Sequence, residues 1–375
     1  MNKKLKLAFC LFKYFPFGGL QSDFMNISKE CIRRGYQVDA YTMSWEGEKP
    51  EGLNVLTVTV SGLTNHKRYL SFAKKLNKTF LKKKYDVVVG FNKIPGLDVY
   101  FAADGSYAGM MKDRSILYRR SNRYHVLMSL EKSVFDGNSK TQILLLSTRE
   151  LDFFKTFYQT APDRFHILPP GISKACVPPS NHRGIRTQKR TKLGIAQNKT
   201  IILMVCTNFK IKGVTRAINA LSSLPSDILN QTILLVAGRD NPKPYKKLAK
   251  KKHVFNNIDF IGARNDVPEL LMASDLLLHP ASIENAGLVL VEALTARLPV
   301  ITTDVCGYSF HVREAKAGIV IPSPFTQQAL DKALMLALTS KEKDTWRNNA
   351  EKYIDKIDVF SCAQKAVDVI EKAAS

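Results

Sequence analysis

The chain has no long apolar run. No segment reaches the roughly 18 consecutive apolar residues that a membrane-spanning helix needs, so we expect no membrane span. The first residues, "MNKKLKLAFCLFKYFPFGG", are basic, but the apolar stretch is short and is interrupted by Lys13. Because no small-residue cleavage site follows, the pattern also argues against a secretory signal peptide.

Closely spaced cysteines are missing as well. The six cysteines are scattered, and most of them lie in apolar runs: Cys10, Cys31, Cys176, Cys206, Cys306 and Cys362. No two of them have the spacing of zinc ligands, and no Asp-x-Asp pair or Cys/His cluster suggests another metal site. The sequence therefore predicts buried free thiols in a reducing compartment, and no metal.

Acidic residues are few. The chain has 33 Asp and Glu against 56 Lys and Arg, which gives a formal net charge of +23. Such an excess indicates an anionic partner, either nucleic acid, acidic lipid or a phosphorylated substrate, although a generally basic composition is the plain alternative. No helix-turn-helix or RNA-binding motif is present and the aromatics form no stacking series, so nucleic acid is a remote alternative and is not expected as a partner.

The length of 375 residues favours two domains. Short apolar runs alternate with amphipathic segments, which predicts parallel sheets covered by helices. The stretch "ILPPGISKACVPPSNHRGIRTQKRTKLGI" (167–195) interrupts this alternation, and its prolines predict an interdomain connection of loop or short helix outside the core. We therefore expect domains at 1–168 and 169–355, with a C-terminal helix at 356–375 that packs back on the first domain.

The second half carries a pair of carboxylates in "HPASIENAGLVLVEALTARLPVITTDVCG" (279–307). Glu284 and Glu292 are eight positions apart, and helical spacing would put them on nearly one face, about 12 Å apart along the axis. That separation is too large for one metal ion, but each carboxylate can accept from two vicinal hydroxyls of an elongated ligand. Gly287 would let a ligand approach the helix start, whose N–H groups attract phosphate. The apolar neighbours of Glu292 argue against the alternative of a solvated helix residue.

This pair, with its flanking residues, resembles the E-x7-E motif of retaining glycosyltransferases of family 4, which have the GT-B fold. Five further segments resemble the lipopolysaccharide core glucosyltransferases within that family: "LFKYFPFGGLQSDF", "SWEG", "VVVGFNKIPGLDVYFAAD", "ILPPGI" and "VCGY". The resemblance extends over essentially the whole chain. It implies an α/β protein in which two Rossmann-like, doubly wound domains face each other across a cleft.

The resemblance also implies a UDP-sugar donor that is bound mainly by the second domain. Glu292 would hold the ribose hydroxyls, and Glu284 would hold the hydroxyls of the transferred sugar. Further contacts to the UDP-sugar would come from two places. The backbone N–H groups of Ala286, Gly287 and Leu288 would lie near the diphosphate. A base-binding edge with Arg264 and Val267 would lie near the uracil.

The phosphate-binding loop "CTNFKIKGV" (206–214) departs from the family pattern. Lys212 and Gly213 match the usual Lys-Gly, and Lys212 is expected to stabilise the charge of the leaving diphosphate. Ile211 stands where the relatives have arginine, and its side chain cannot donate a hydrogen bond. Lys210 is close by but offers a point charge instead of a planar fork. The departure leaves the identity of the donor sugar open.

The first half contains "FPFGGLQSDF", which lacks the third glycine of a dinucleotide-binding fingerprint. Gly18 and Gly19 are expected to keep the backbone small where the donor meets the acceptor. Asp23 would then orient or partly deprotonate the acceptor hydroxyl. The alternative is a carboxylate in a first helical turn, which the helix dipole favours. Asp104, after "VYFAA", is a second candidate for binding the acceptor.

Two basic segments suggest binding to an anionic surface. The stretch 66–85 has eight Lys and Arg and no acid, and the stretch 110–135 interleaves four arginines with aromatic and apolar residues: Arg114, Arg119, Arg120 and Arg123. We expect the second stretch to be an amphipathic helix that binds anionic lipid. A solvated helix that covers the cleft is the alternative.

Together these features predict a retaining, metal-independent hexosyltransferase. It would move glucose by default from a UDP-sugar to the inner-core heptose of a lipid A–inner core acceptor, at the cytoplasmic face of the inner membrane. A transferase of the same fold that uses another UDP-sugar, or another lipid or soluble acceptor, remains the alternative.

Overall fold

The computed structural model describes residues 4–16, 18–82 and 84–374, so Phe17 and Lys83 of two quoted motifs lie outside the described residues. The chain divides into two compact units. The first unit comprises residues 1–169 and 361–375, and the second comprises residues 170–360. The second unit therefore ends at Phe360 instead of residue 355.

The first unit is built on a sheet of seven parallel strands in the order β3-β2-β1-β4-β5-β6-β7. The strands are β1 (Lys6–Tyr14), β2 (Gln37–Trp45), β3 (Leu53–Thr57), β4 (Val87–Gly90), β5 (Val99–Ala102), β6 (Gln142–Leu145) and β7 (Phe165–Ile167). The central strands are continuous apolar runs because helices cover both faces of such a sheet. The three-residue β7 was not predicted, since so short a strand has too little pattern.

Seven helices belong to the first unit within the described residues: α1 (Gly19–Arg33), α2 (Asn65–Lys82), α3 (Tyr107–Met111), α4 (Ile116–Arg119), α5 (Asn122–Phe135), α6 (Leu151–Tyr158) and α16 (Cys362–Ala373). Helix α16 packs against α1 although it is the last helix of the chain. Arg34 at the end of α1 donates to Asp368 at 2.7 Å and to Glu371 at 2.9 Å. These ion pairs fix the C-terminal helix on the first unit.

The second unit has a sheet of six parallel strands in the order β10-β9-β8-β11-β12-β13. The strands are β8 (Thr200–Val205), β9 (Thr232–Ala237), β10 (Ile258–Gly262), β11 (Leu276–His279), β12 (Val300–Thr303) and β13 (Gly318–Ile321). The strand order reverses between β8 and β11, as it does between β1 and β4 in the first unit. Loops leave the sheet in opposite directions at such a reversal and open a crevice at the carboxyl ends of the strands.

The described helices of the second unit are α7 (His182–Lys192), α8 (Val214–Ser222), α9 (Ser226–Asn230), α10 (Lys243–Lys251), α11 (Val267–Ala273), α12 (Leu288–Thr295), α13 (Ser309–Ala315), α14 (Gln327–Thr339) and α15 (Lys343–Ile354). The two sheets and their helices confirm the predicted α/β class with two doubly wound, Rossmann-like domains.

The prediction that residues 167–195 lie outside the core was wrong. Helix α7 packs against α11, and the guanidinium of Arg190 on α7 is fully buried. Arg190 donates to Asp275 Oδ2 at 2.6 Å and to the Ala273 carbonyl at 2.9 Å. A basic helix can enter the core here because a carboxylate and backbone carbonyls satisfy its charge.

The prediction of one amphipathic helix over 110–135 was also wrong. The segment forms the end of α3, the short α4 and then α5. The hydroxyls of Ser115 and Ser121 accept from the backbone N–H groups of Tyr118 at 3.3 Å and Tyr124 at 3.2 Å. Each serine therefore begins a new helix as its N-cap, and the chain cannot continue as one rod.

The six cysteines are buried and free, as the scattered spacing predicted. Across the described parts of the chain, no helix combines the length and the apolar character needed to cross a membrane.

Candidate active site

Two loops of the second unit meet at the carboxyl ends of the adjacent strands β8 and β11. Ser282, after β11, donates to the Ile211 carbonyl through its backbone N–H at 2.8 Å and its hydroxyl at 3.1 Å. Gly213 has a left-handed backbone, and a Cβ there would lie 2.1 Å from the Pro280 carbonyl oxygen. Only glycine fits this approach. The two loops therefore hold Lys212 beside Glu284.

Glu284 is the centre of a group of three charged side chains. Lys212 Nζ donates to Glu284 Oε2, and His279 Nε2 lies 3.1 Å from the same oxygen. Burial alone would raise the pKa of Glu284, but His279 and Lys212 outweigh it and lower the pKa to about 2. Glu284 is therefore a carboxylate at any physiological pH.

The prediction that Glu284 and Glu292 share one helix face was wrong. Helix α12 begins at Leu288, after Gly287, so that only Glu292 lies on it. Glu284 instead forms an isolated backbone bridge with Cys306, and Tyr308 N–H donates to the Ala286 carbonyl at 2.8 Å. The loop after β12 thus fixes the Glu284 loop, and the axial separation of a helix does not apply.

Glu292 is partly buried on α12. No hydrogen bond or ion pair reaches its carboxylate from the residues that the structure describes, and burial raises the pKa of Glu292 to about 7. Cys176 lies close enough that burial together with Glu292 raises the pKa of its thiol to about 12. A carboxylate held this way has unused acceptor capacity for a ligand.

The other residues of the second unit that were predicted to bind the UDP-sugar lie in two groups. Ala286 and Gly287 are buried, and with Leu288 they form the start of α12, whose first N–H groups have no partner within the helix. Arg264 and Val267 follow the edge strand β10, two strands away from β8. Arg264 Nε donates to Asp266 Oδ1 at 2.8 Å, so this guanidinium is already oriented by a neighbouring carboxylate.

In the first unit, Gly18 caps α1 and Asp23 is buried on its second turn. Because Asp23 lies beyond the first turn, the helix dipole gives it little stabilisation. A Cβ on Gly18 would meet Gln21 Oε1 at 1.9 Å, whereas one on Gly19 would meet nothing within 4 Å. Packing therefore does not explain Gly19, which leaves room for a ligand there.

Asp104 is exposed in the loop after β5. Lys93 Nζ donates to the Gly105 carbonyl at 2.8 Å and pairs with the fully buried Glu131. Glu131 also accepts from the backbone N–H groups of Tyr107 at 2.6 Å and Ala108 at 2.9 Å. The loop that carries Asp104 is therefore anchored by a buried ion pair.

Sequence reasoning missed His279 and Glu131. His279 belongs to the quoted "HPAS", and its signal was a histidine at the end of a buried apolar strand at the ligand edge of a parallel sheet. Glu131 gave no comparable signal, since its partners come from distant parts of the chain.

The four arginines of 110–123 are all exposed. We call them, with the exposed Ile116 and Leu117 beside them, the arginine surface. The side chains of Ile116 and Leu117 are 71% and 79% exposed, which is unusual for large apolar residues next to each other.

A cavity of about 380 Å³ lies in the first unit, lined by α5, α6 and the residues that follow them, including Lys132, Asp136 and Phe157. None of the predicted site residues lines it. Among the described residues, no group of three or more His, Cys, Asp or Glu side chains is placed to hold a metal ion.

Comparison with known proteins identifies the family. The model of glycosyl transferases group 1 matches residues 185–353, and that of glycosyltransferase family 4 matches residues 17–175. The lipopolysaccharide glucosyltransferase WaaG of Escherichia coli K12 is 44% identical over 369 residues, which cover 97% of this chain and 98% of that one.

Solved structures agree with this assignment. The crystal structure of WaaG, a glycosyltransferase involved in lipopolysaccharide biosynthesis, has a TM-score of 0.93 over 97% of this chain and 99% of that one, at 44% identity. Anabaena Alr3699/HepE, in complex with UDP and glucose, has a TM-score of 0.73 at 19% identity, over 98% and 100% of the two chains, which shows a shared fold alone. The chain therefore belongs to the GT-B glycosyltransferases that carry the family 4 and group 1 domains.

Proposed function

We propose that this chain transfers a hexose, by default glucose, from a UDP-sugar to the inner-core heptose of lipopolysaccharide. The observation that carries the proposal is the pairing of Lys212 with Glu284 where the strand order of the second sheet reverses. The chain that contains this pair is 44% identical, over nearly its whole length, to a lipopolysaccharide glucosyltransferase. A hydroxyl-binding carboxylate beside a phosphate-binding ammonium matches the two halves of a nucleotide-sugar donor.

The donor occupies the second unit in this proposal. Glu292 accepts from the two ribose hydroxyls, and Glu284 accepts from the transferred sugar. The diphosphate lies against Lys212 and the N-terminal N–H groups of α12, where the helix dipole favours negative charge. Arg264 and the backbone of Val267 contact the uracil.

In the reaction, the bond between the sugar carbon and the diphosphate oxygen breaks as the acceptor oxygen attacks on the same face. Lys212 stabilises the negative charge that grows on the leaving diphosphate, so that no metal ion is required. The acceptor hydroxyl gives its proton to the departing phosphate oxygen. Asp23 orients that hydroxyl and Asp104 binds the acceptor, while Gly19 leaves space for it. The sugar keeps its anomeric configuration.

The acceptor is anchored in a membrane, and the arginine surface is proposed to bind its anionic cytoplasmic face. Four exposed guanidinium groups beside exposed Ile116 and Leu117 combine electrostatic attraction with apolar insertion. The surface suits this role without forming one helix, because attraction to lipid depends on exposure and charge.

The donor is tested by thermal unfolding with UDP, UDP-glucose, UDP-galactose, UDP-N-acetylglucosamine and UDP-N-acetylgalactosamine. We expect UDP and UDP-glucose to raise the melting temperature, and UDP-glucose to be hydrolysed slowly without acceptor. An unchanged melting curve with every nucleotide would contradict the proposal.

A second candidate is a transferase of the same fold with a different UDP-sugar. It is favoured by Ile211, which stands where the resemblance places an arginine at the diphosphate. The side chain of Ile211 cannot donate, and its backbone N–H and carbonyl already bond to Asn208 and Ser282. Faster hydrolysis of another UDP-sugar than of UDP-glucose would support this second candidate.

A further inference from the structure

Glu284 is held through one of its two carboxylate oxygens. The donors from Lys212 and His279 both go to Oε2, and none of the described residues donates to Oε1. The side chain is 13% exposed. An ionised carboxylate oxygen accepts two hydrogen bonds, so Oε1 retains its full capacity for an external donor.

The fold fixes His279 more firmly than it fixes Lys212. His279 is the last residue of β11 and only 1% exposed, and its carbonyl accepts from Thr302 Oγ1 at 3.1 Å. Lys212 lies in a loop, and its side chain is 20% exposed. The imidazole is therefore a permanent partner of Glu284, whereas the flexible lysine can also reach a phosphate.

The groups around the imidazole favour its charged form. Burial alone would lower the pKa of His279, but Cys306 and Glu284 outweigh it and raise the pKa to about 9. The same imidazole lowers the pKa of the Cys306 thiol against the opposing effect of burial. His279 Nδ1 is buried and has no hydrogen bond of ordinary geometry among the described residues. The bond that orients the ring is thus the one from Nε2 to Glu284.

We infer that His279 is a positioning residue, which holds Glu284 through Oε2 so that Oε1 meets the hydroxyls of the transferred sugar. Lys212 is then available to the diphosphate of the donor. This inference rests on the proposed function, because it assumes that a nucleotide-sugar binds at Glu284. It assigns to His279 a role that acts on the sugar and not on the nucleotide.

The test compares the affinities of UDP and UDP-glucose, measured by calorimetry, for the full-length wild type and three variants. We expect His279→Leu to weaken UDP-glucose about tenfold, the loss of one hydrogen bond to a charged group, and to leave UDP within about twofold. In His279→Gln the amide Nε2 can still donate to Oε2, so UDP-glucose should bind within about threefold of wild type. The matched control is His311→Leu, since His311 is also buried in the second unit but bonds to Tyr353; both affinities should stay unchanged.

Equal weakening of UDP and UDP-glucose in His279→Leu would overturn the inference, because it indicates a structural role. Wild-type affinity for UDP-glucose in that variant would also overturn it. If His279→Leu does not fold, His279→Gln is compared with the shorter His279→Asn; equal affinity for UDP-glucose in both overturns the inference, and retention in glutamine alone supports it. Failure of the wild type itself to bind UDP-glucose, while UDP binds, would instead refute the proposed donor and this inference with it.

Discussion

The fully or partly buried carboxylates of the two units receive very different numbers of hydrogen bonds. Glu131 in the first unit accepts from five donors through both oxygens: Lys93, Ser106, Tyr107, Ala108 and Tyr158. In the second unit, Glu284 uses only Oε2, and Glu292 accepts no side-chain hydrogen bond from the described residues. Both units remove carboxylates from water, but only the first unit supplies enough hydrogen-bond donors to compensate for it.

This difference separates fold from function. Burial alone would raise the pKa of Glu131, but Lys93 and the N–H groups of Ala108 and Tyr107 lower it. For Glu292, burial is unopposed and the pKa rises to about 7. A carboxylate that the protein leaves without partners destabilises the fold and is kept where a ligand supplies the missing donors.

The largest expected effect on stability comes from Glu131→Ala. Removing it leaves Lys93 and two backbone N–H groups buried without their acceptor, which should lower the free energy of unfolding by about 3–5 kcal/mol. Urea unfolding measures the loss, with the exposed Glu51→Ala as a control that should change little. A loss below about 1 kcal/mol would remove the distinction between the two units.

Glu284→Gln should act mainly on catalysis. The amide cannot accept from the sugar as a charged oxygen does, so kcat/KM for hexosyl transfer should fall about 100-fold. Steady-state kinetics with UDP-glucose give the value, and unfolding measurements check that the variant folds. Unchanged kcat/KM would mean that Oε1 is not a ligand contact.

Glu292→Gln should stabilise the protein at pH 8. The folded-state pKa of about 7 exceeds the ordinary 4.5, so the stability contribution of protonated Glu292 is complete below pH 4.5 and is lost as the pH rises through 7. The neutral amide avoids that loss, which should be worth about 3 kcal/mol at pH 8 and little at pH 4.5.

The same variant should reduce the rise in melting temperature caused by UDP, because the amide has only one acceptor oxygen for the two ribose hydroxyls. Unfolding at both pH values, with and without UDP, checks both effects. If Glu292→Gln is less stable than wild type at pH 8, Glu292 has a structural partner and the comparison fails.

The smallest effect concerns an exposed charge that needs no partner. Arg120→Ala on the arginine surface should weaken binding to vesicles that contain anionic lipid by about 1 kcal/mol. It should leave the unfolding free energy unchanged, since Arg120 is exposed. Sedimentation with anionic and neutral vesicles tests this. Equal binding of the wild type to both kinds of vesicle would contradict a role of the arginine surface in binding anionic lipid.

The strands other than β7 were predictable from the sequence because each central strand of a parallel sheet is a short apolar run. The sequence also indicated Lys212 and Glu284, since their loops follow neighbouring strands and carry Lys-Gly and the first glutamate of the motif. It could not show that α12 begins only at Leu288, because helix propensity does not reveal that residues 284–287 pair with the loop after β12.

The features that could not be predicted depend mainly on charge pairs between residues far apart in the sequence. The segment 167–195 was expected outside the core because of its prolines, and Asp275, which neutralises the buried Arg190, lies 85 residues away along the chain. The split of 110–135 depended on Ser115 and Ser121 acting as N-caps instead of continuing a helix. Glu131 could not be predicted either, since its hydrogen-bond partners come from three separate segments of the chain.

The most direct test of the account is the anomeric configuration of the product. Purified protein is incubated with UDP-glucose carrying isotopically labelled glucose and with an inner-core acceptor that ends in heptose, and the product is analysed by NMR. A retaining transfer gives a new α-glucosyl linkage, because the donor linkage is α and its configuration is kept. A β-linked product, or no transfer under conditions in which UDP-glucose binds, would contradict it.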